Sequence, residues 1–131
     1  MRILVIEDDF ISRNVISRFL SGFGEVVTAD NGRLGLAALQ AAHDAEAPFD
    51  LVTLDVMMPE LDGHQVLQQL RQIEQRHPTH AKAKVVMTTA LDDIQNVKTA
   101  YQGFCDDYLT KPIRKAVLFE KLQMLGFQLP S

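Results

Sequence analysis

Short apolar runs alternate with segments of helical period along the chain. The runs cover residues 3–6, 26–28, 51–54, 85–88 and 108–109 and are rich in Val, Ile and Leu. They do not alternate with polar residues, so they read as strands buried on both faces. Between them lie apolar stripes of helical spacing. Ile11, Val15, Ile16, Phe19 and Leu20 form the first. Leu34, Leu36, Ala37, Ala38 and Leu39 form the second, and Val66, Leu67, Leu70 and Ile73 the third. Ile94, Val97, Ala100 and Tyr101 form the fourth. Val117, Leu118, Leu122 and Leu125 form the fifth, with Lys121 as its polar exception. Ser12 lies early in the first helix, while Asn31 and Asp62 precede the second and third as caps. Residues 43–48 and 77–84 read as surface loops, and Gly126 as a helix stop. Five strand–helix repeats imply an α/β fold, a parallel sheet covered on both faces and joined by right-handed crossovers.

Composition narrows the classes. At 131 residues, 47% apolar and 23% charged, the chain suits one globular domain, expected over residues 1–131 with no output domain. Its net charge is −4, which gives no global pull towards nucleic acid. The single cysteine, Cys105, excludes an internal disulfide and suits a reducing cytoplasm. No apolar run approaches the ~18 residues of a membrane helix.

Ligands of open α/β sheets bind beyond the carboxyl ends of the strands, so the residues there matter most. The first strand ends in Glu7-Asp8-Asp9 and the third in Asp55. The fourth ends in Thr88-Thr89-Ala90 and the fifth in Thr110-Lys111-Pro112. Each group alone is unremarkable: a capping Asp, a strand Thr, a loop Lys-Pro. Their joint occurrence at one end of the sheet is what carries information. Three neighbouring carboxylates, Glu7, Asp8 and Asp55, would repel one another, and a hard divalent cation removes that conflict. Lys111 and Thr89 supply a positive charge and a hydroxyl for phosphoryl oxygens. The chemistry implied is a carboxylate attacking phosphorus. A phosphatase of the aspartyl-nucleophile type would need a second Asp two places after the nucleophile as acid/base, and Met57 stands there.

With these residues, the chain resembles the receiver domain of bacterial response regulators, over residues 1 to about 126. The resemblance rests on Ile3-Leu4-Val5-Ile6-Glu7-Asp8-Asp9, on Asp50-Leu51-Val52-Thr53-Leu54-Asp55-Val56-Met57-Met58-Pro59 with Asp62-Gly63, and on two later motifs. These are Met87-Thr88-Thr89-Ala90 and Asp106-Asp107-Tyr108-Leu109-Thr110-Lys111-Pro112. It implies a flavodoxin-like (βα)5 fold with strand order 2-1-3-4-5. It implies a signalling domain that catalyses only its own phosphorylation and dephosphorylation. Asp55 would accept a phosphoryl group from a histidine kinase or a histidine phosphotransfer protein. Glu7, Asp8, Asp55 and the Met57 backbone carbonyl would hold Mg²⁺, with Mn²⁺ as a substitute and Glu7 acting directly or through water. Lys111 and Thr89 would contact the phosphoryl group, and Thr89 with Tyr108 would form the switch. A downstream protein would read the face of the fourth helix, fifth strand and fifth helix, without direct contact to nucleic acid or membrane. The chain would be a monomer or a phosphorylation-dependent dimer, in the cytoplasm. Met57 and Leu91, bulky and apolar, would flank the path of the hydrolytic water and tune dephosphorylation. The alternative is a receiver cut from a larger regulator with a DNA-binding or enzymatic output domain.

The remaining candidates take structural roles. His64 is expected on the surface of the third helix. His43, His77 and His80 are expected in loops without ligand spacing, and Cys105 as a small packed residue.

Overall fold

Continuous Val/Ile/Leu runs can be buried on both faces only at the centre of a sheet. The computed structural model describes residues 1–101 and 103–130; Gln102 and Ser131, the last residue of the expected domain, lie outside them. Among the described residues five strands form one parallel sheet: β1 (Arg2–Ile6), β2 (Glu25–Ala29), β3 (Leu51–Asp55), β4 (Lys84–Ala90) and β5 (Asp107–Lys111). Their order is β2-β1-β3-β4-β5, as the resemblance implies. The helices are α1 (Phe10–Leu20), α2 (Gly32–Asp44), α3 (Gly63–Gln75), α4 (Ile94–Tyr101) and α5 (Lys115–Met124), with a 3₁₀ turn over Leu91–Asp93.

Strand alternation divides the core in two. Ile3, Val5, Leu51, Val86 and Leu109 pack with Ile16 and Leu20 of α1 and Leu118 and Leu122 of α5. Leu4, Ile6, Val52, Leu54, Val85 and Met87 pack on the other face against α2, α3 and α4. The third apolar stripe is buried throughout: Val66, Leu67, Leu70 and Ile73 are all in the core. Burying each such side chain contributes about 1.5–3 kcal/mol. By contrast α4 buries only Val97 and Tyr101, and Ala100 of its expected stripe is exposed. Ile11, Leu34, Ala37 and Val117 are likewise exposed, so the stripes of α1, α2 and α5 are narrower than expected. The outer strands also depart from expectation. Val26 and Val27 of β2 are half-buried, and Leu109 alone is fully buried in β5, because an edge strand has one neighbour.

The caps follow the turn chemistry. Asn31 Oδ1 accepts from the Leu34 N–H at 2.8 Å. Asp62 and Gln65 form a reciprocal capping box, both bonds 3.0 Å. In α1 the cap is Asp9, whose Oδ2 accepts from the Ser12 N–H at 2.8 Å. The α5 end is closed by Gly126 at φ +99°, with Gly126 N–H to Gln123 O and Phe127 N–H to Leu122 O. Lys121 leaves the stripe to pair with Asp107 at 2.8 Å, tying α5 to β5.

Gly63 allows α3 to start against the segment that follows Asp55. Its N–H bonds to Val56 O at 3.0 Å. A Cβ there would lie 2.6 Å from the Asp55 carbonyl oxygen and 2.9 Å from Val56 Cα. Both are backbone atoms, which cannot swing aside. Gly63→Ala is expected to cost about 2 kcal/mol or more in urea unfolding. An unchanged midpoint would show that the helix start yields without cost.

The histidines correct the sequence reading at His43 and in the grouping of His43, His77 and His80. His64 is exposed on α3, its ring 5.4 Å from that of Tyr101. His43 is not in a loop: α2 runs through Asp44, and His43 is 4% exposed on its inner face. His77 and His80 follow α3 and come together with His43, so the three rings form one cluster. Burial, and after it the neighbouring His77 and His80 rings, hold the His43 imidazole below the ordinary histidine value. Cys105 is part-buried against the core, and burial holds its thiol above the usual value.

Candidate functional site

Chain order reverses between β1 and β3, because β2 lies on one side of β1 and β3 on the other. The crevice at the carboxyl ends of these strands is where a doubly wound sheet binds ligands. Ile6 is level with Leu54, so the next residues, Glu7 and Asp55, emerge side by side. Both are buried, at 0% and 2% exposed, while Asp8 is exposed at the rim. Glu7, Asp8 and Asp55 each place a carboxylate oxygen within 4.8 Å of the others. Register brings the remaining groups to the same edge: Asp55 is level with Thr88, Thr89 with Thr110, and Ala90 with Lys111.

Lys111 enters from β5 and sets its Nζ 2.6 Å from Glu7 Oε1 and 3.2 Å from Asp55 Oδ1. One ammonium thus faces three carboxylates. Burial raises the Asp55 pKa to about 6; the adjacent Glu7 also raises it, while Asp8 and Lys111 oppose. Asp8 is raised as well, by burial first and then by Asp55. For Lys111 burial is the largest single influence and lowers its pKa, but the bonds and attractions to Glu7 and Asp55 outweigh it and the net is a rise. Glu7 Oε2 and Asp55 Oδ2 are buried without a hydrogen-bond partner among the described residues. Orphaned carboxylate oxygens of this kind are costly unless a cation meets them. Hard oxygen donors and excess negative charge fit Mg²⁺.

Every expected site residue can be placed. Met57 N–H donates to Asp55 Oδ1 at 3.2 Å, and its side chain is 69% exposed. Thr89 is buried in β4, and its hydroxyl has no partner among the described residues. Leu91 is 71% exposed on the 3₁₀ turn and borders a hollow of about 250 Å³ with Thr110, Lys111 and Pro112. Tyr108 is half-buried in β5, level with Met87 rather than beside Asp55, and burial raises its phenol above the usual value. One contributor escaped the sequence reading. Arg13, one turn into α1, donates to the Glu7 backbone carbonyl at 2.9 Å and steadies the segment that carries the acidic pair. An i+6 arginine after a strand end has no signature of its own.

Comparison with known proteins agrees with this geometry. The family model of the response regulator receiver domain matches residues 3–123. The transcriptional regulatory protein QseB of Haemophilus influenzae is 38% identical over 126 residues, 95% of this chain and 52% of that protein. The sensor histidine kinase GacS of Pseudomonas protegens is 37% identical over 119 residues, 89% of this chain and 12% of that one. The chain spans about half the length of the curated transcriptional regulators QseB and CiaR and of the probable transcriptional regulator ycf27 of Cyanophora paradoxa. Among solved structures, the receiver domain of Saccharomyces cerevisiae Ssk1, crystallised with the histidine phosphotransfer protein Ypd1, aligns with TM-score 0.80 and 25% identity over 96% of this chain and 88% of that one. The receiver domain of the Arabidopsis thaliana histidine kinase CKI1, complexed with Mg²⁺ and BeF3⁻, aligns with TM-score 0.74 and 26% identity, over 93% and 89% of the two chains. The reversed sheet order, the strand-end residues and a family match over nearly the whole length lead to one conclusion: the chain belongs to the response regulator receiver family.

Proposed function

We propose that the chain receives a phosphoryl group on Asp55 from a phosphohistidine and transmits that event by changing a protein-binding face. The observation that carries this reading is the buried Asp55 carboxylate, held 3.2 Å from Lys111 in a crevice shared with Glu7 and Asp8. A carboxylate oxygen of Asp55 forms the new O–P bond while the histidine N–P bond breaks. Lys111 is placed to pair with a phosphoryl oxygen in place of Asp55. The unpartnered hydroxyl of Thr89 is free to donate to another. Glu7, Asp8, Asp55 and the Met57 carbonyl would hold Mg²⁺ or Mn²⁺, which when bound neutralises charge on the phosphoryl oxygens. Self-phosphorylation and its reversal are the only chemistry this reading assigns.

Phe10 and Ile11 at the start of α1, with Met57 and Leu91, are large exposed apolar side chains around the crevice. They suit docking of a histidine kinase or histidine phosphotransfer protein. Tyr108 turning inward as Thr89 moves would then alter the face of α4, β5 and α5 for a downstream protein, as a monomer or a phosphorylation-dependent dimer. We place this activity in the cytoplasm, with residues 1–131 as one receiver domain. None of the described helices is long and apolar enough to cross a membrane. The length of the relatives favours a second reading, a receiver within a larger regulator that carries an output domain.

The test is labelling with acetyl phosphate followed by intact-protein mass spectrometry. One phosphate per chain is expected with Mg²⁺ and none with chelator. Labelling that is indifferent to chelator would contradict the proposal.

A further inference from the structure

We propose that His43, His77 and His80 form a second metal site, for a late first-row divalent cation and for Zn²⁺ above all. Each of the three offers one ring nitrogen, and these nitrogens lie within 4.8 Å of one another. His43 Nδ1 and His80 Nδ1 share a hydrogen bond of 2.8 Å, and a tetrahedral ion would replace the shared proton and spread the pair to about 3.3 Å. The ring centroids form a nearly equilateral triangle with sides of 4.9, 5.1 and 5.2 Å. A column of stacked rings would put its outer pair twice as far apart as its inner pairs, so stacking does not account for the arrangement. A tetrahedral ion with Zn–N bonds of about 2.0–2.1 Å sets the centroids of its imidazoles about 5 Å apart. Imidazole donors suit Zn²⁺, Cu²⁺ and Ni²⁺, whereas Mg²⁺ takes oxygen. The two metal preferences of the molecule are therefore separable.

The backbone prepares the cluster. His43 is held in the last turn of α2, 4% exposed. His77-Pro78-Thr79-His80 is a tight turn closed by His80 N–H to His77 O at 3.0 Å, with Pro78 at its second position. Both α2 and α3 end here, at Asp44 and Gln75, so the rings lie beside two helix carboxyl ends. The nearby carboxylates are already engaged. Glu74 accepts from Arg71 at 2.8 Å and from the Ala83 N–H at 2.7 Å, and Asp44 accepts from Gln40 at 2.9 Å. The fourth position is thereby left to water or an exchangeable ligand. Because α2 and α3 lead into the amino ends of β3 and β4, the cluster lies at the edge of the sheet opposite Asp55. A bound ion would clip α2 to the loop before β4.

The experiment is a Zn²⁺ titration of tag-free, chelator-stripped protein against a metal indicator, in excess Mg²⁺. The expected result is one Zn²⁺ per chain, unchanged in Asp55→Asn. His77→Asn with His80→Asn should weaken binding about a hundredfold or more and remove the rise in melting temperature that Zn²⁺ gives the parent. Circular dichroism checks that this variant folds. If it does not, the visible spectrum of the Co²⁺-loaded parent decides, with intense tetrahedral bands expected. No saturable Zn²⁺ uptake, equal binding by the folded double variant, loss of binding in Asp55→Asn, or only weak octahedral Co²⁺ bands would each overturn the proposal.

Discussion

Asp55→Asn protein is expected to take up no phosphate and, in chelator, to melt higher than the parent at pH 8. The first effect follows from removing the proposed nucleophile, since an amide oxygen is a poor nucleophile towards phosphorus. The second follows from burial. Asp55 has a folded pKa of about 6, well above the ordinary aspartate value near 3.8. Between these values the folded chain binds a proton more tightly than the unfolded one, so stability falls as pH rises from about 4 through 6. Above that window the penalty is complete and amounts to roughly 3 kcal/mol, with the opposing attraction of Lys111 already included. Asn at this position carries no charge to desolvate, and Lys111 keeps its contact with Glu7 at 2.6 Å. The melting temperature should rise by roughly 10 °C at pH 8 and by little at pH 4. Excess Mg²⁺ should narrow or reverse the difference, because the proposed ligand set includes the Asp55 carboxylate. Thermal melts in chelator at both pH values read the effect; a variant that melts below the parent at pH 8 would show that the carboxylate is not strained.

The second large effect concerns how long the phosphoryl group persists. Hydrolysis requires a water in line with the O–P bond, and side chains that can hydrogen-bond it fix its direction. Met57 and Leu91 offer no such bond, and both project at the rim, 69% and 71% exposed. A phosphorylated state lasting many minutes to hours is expected. Met57→Asn combined with Leu91→Glu should accelerate decay about a hundredfold, equivalent to about 2.7 kcal/mol of barrier. Exposed positions tolerate such exchanges with little change in stability, so the rate is a clean readout. Decay is followed after removal of the small donor. Loss within seconds in the parent, or no acceleration in the double variant, would remove these two side chains from the control of lifetime.

The legible parts of this molecule are those where one residue type leaves one option. Ile3 to Ile6, Leu51 to Leu54 and Val85 to Thr88 are buried on both sides and read directly as central strands. Glu7 and Asp55 were legible because each interrupts such a run at its carboxyl end. The edge strand β5 was harder, since Asp107, Thr110 and Lys111 are polar letters inside a strand. The end of α2 was misread for a related reason. Residues 43–48 look loop-like by their Ala, Glu and Asp content, although Gly35, Leu39, Ala42 and His43 share the buried face at i, i+4, i+7 and i+8. The meeting of His43 with the turn after α3 is set by the packing of two helices, which no local pattern encodes. Nor does local pattern separate Thr88 from Thr89, both buried; register alone puts the former opposite Asp55.

Unequal anchoring gives the molecule a soft side. Four inward side chains of the apolar stripe fasten α3, whereas Val97 and Tyr101 alone fasten α4, whose Gln95, Asn96, Lys98 and Thr99 face water. The work needed to shift an element scales with the apolar surface it must release, so α4 sits in a shallow well while its neighbour sits in a deep one. A modest change in charge at the sheet edge can then repopulate the positions of α4 without loosening the rest of the core. Rigidity around Asp55 and compliance one helix away are thus built from the same sheet, and the compliance costs the fold only the few contacts that α4 never made.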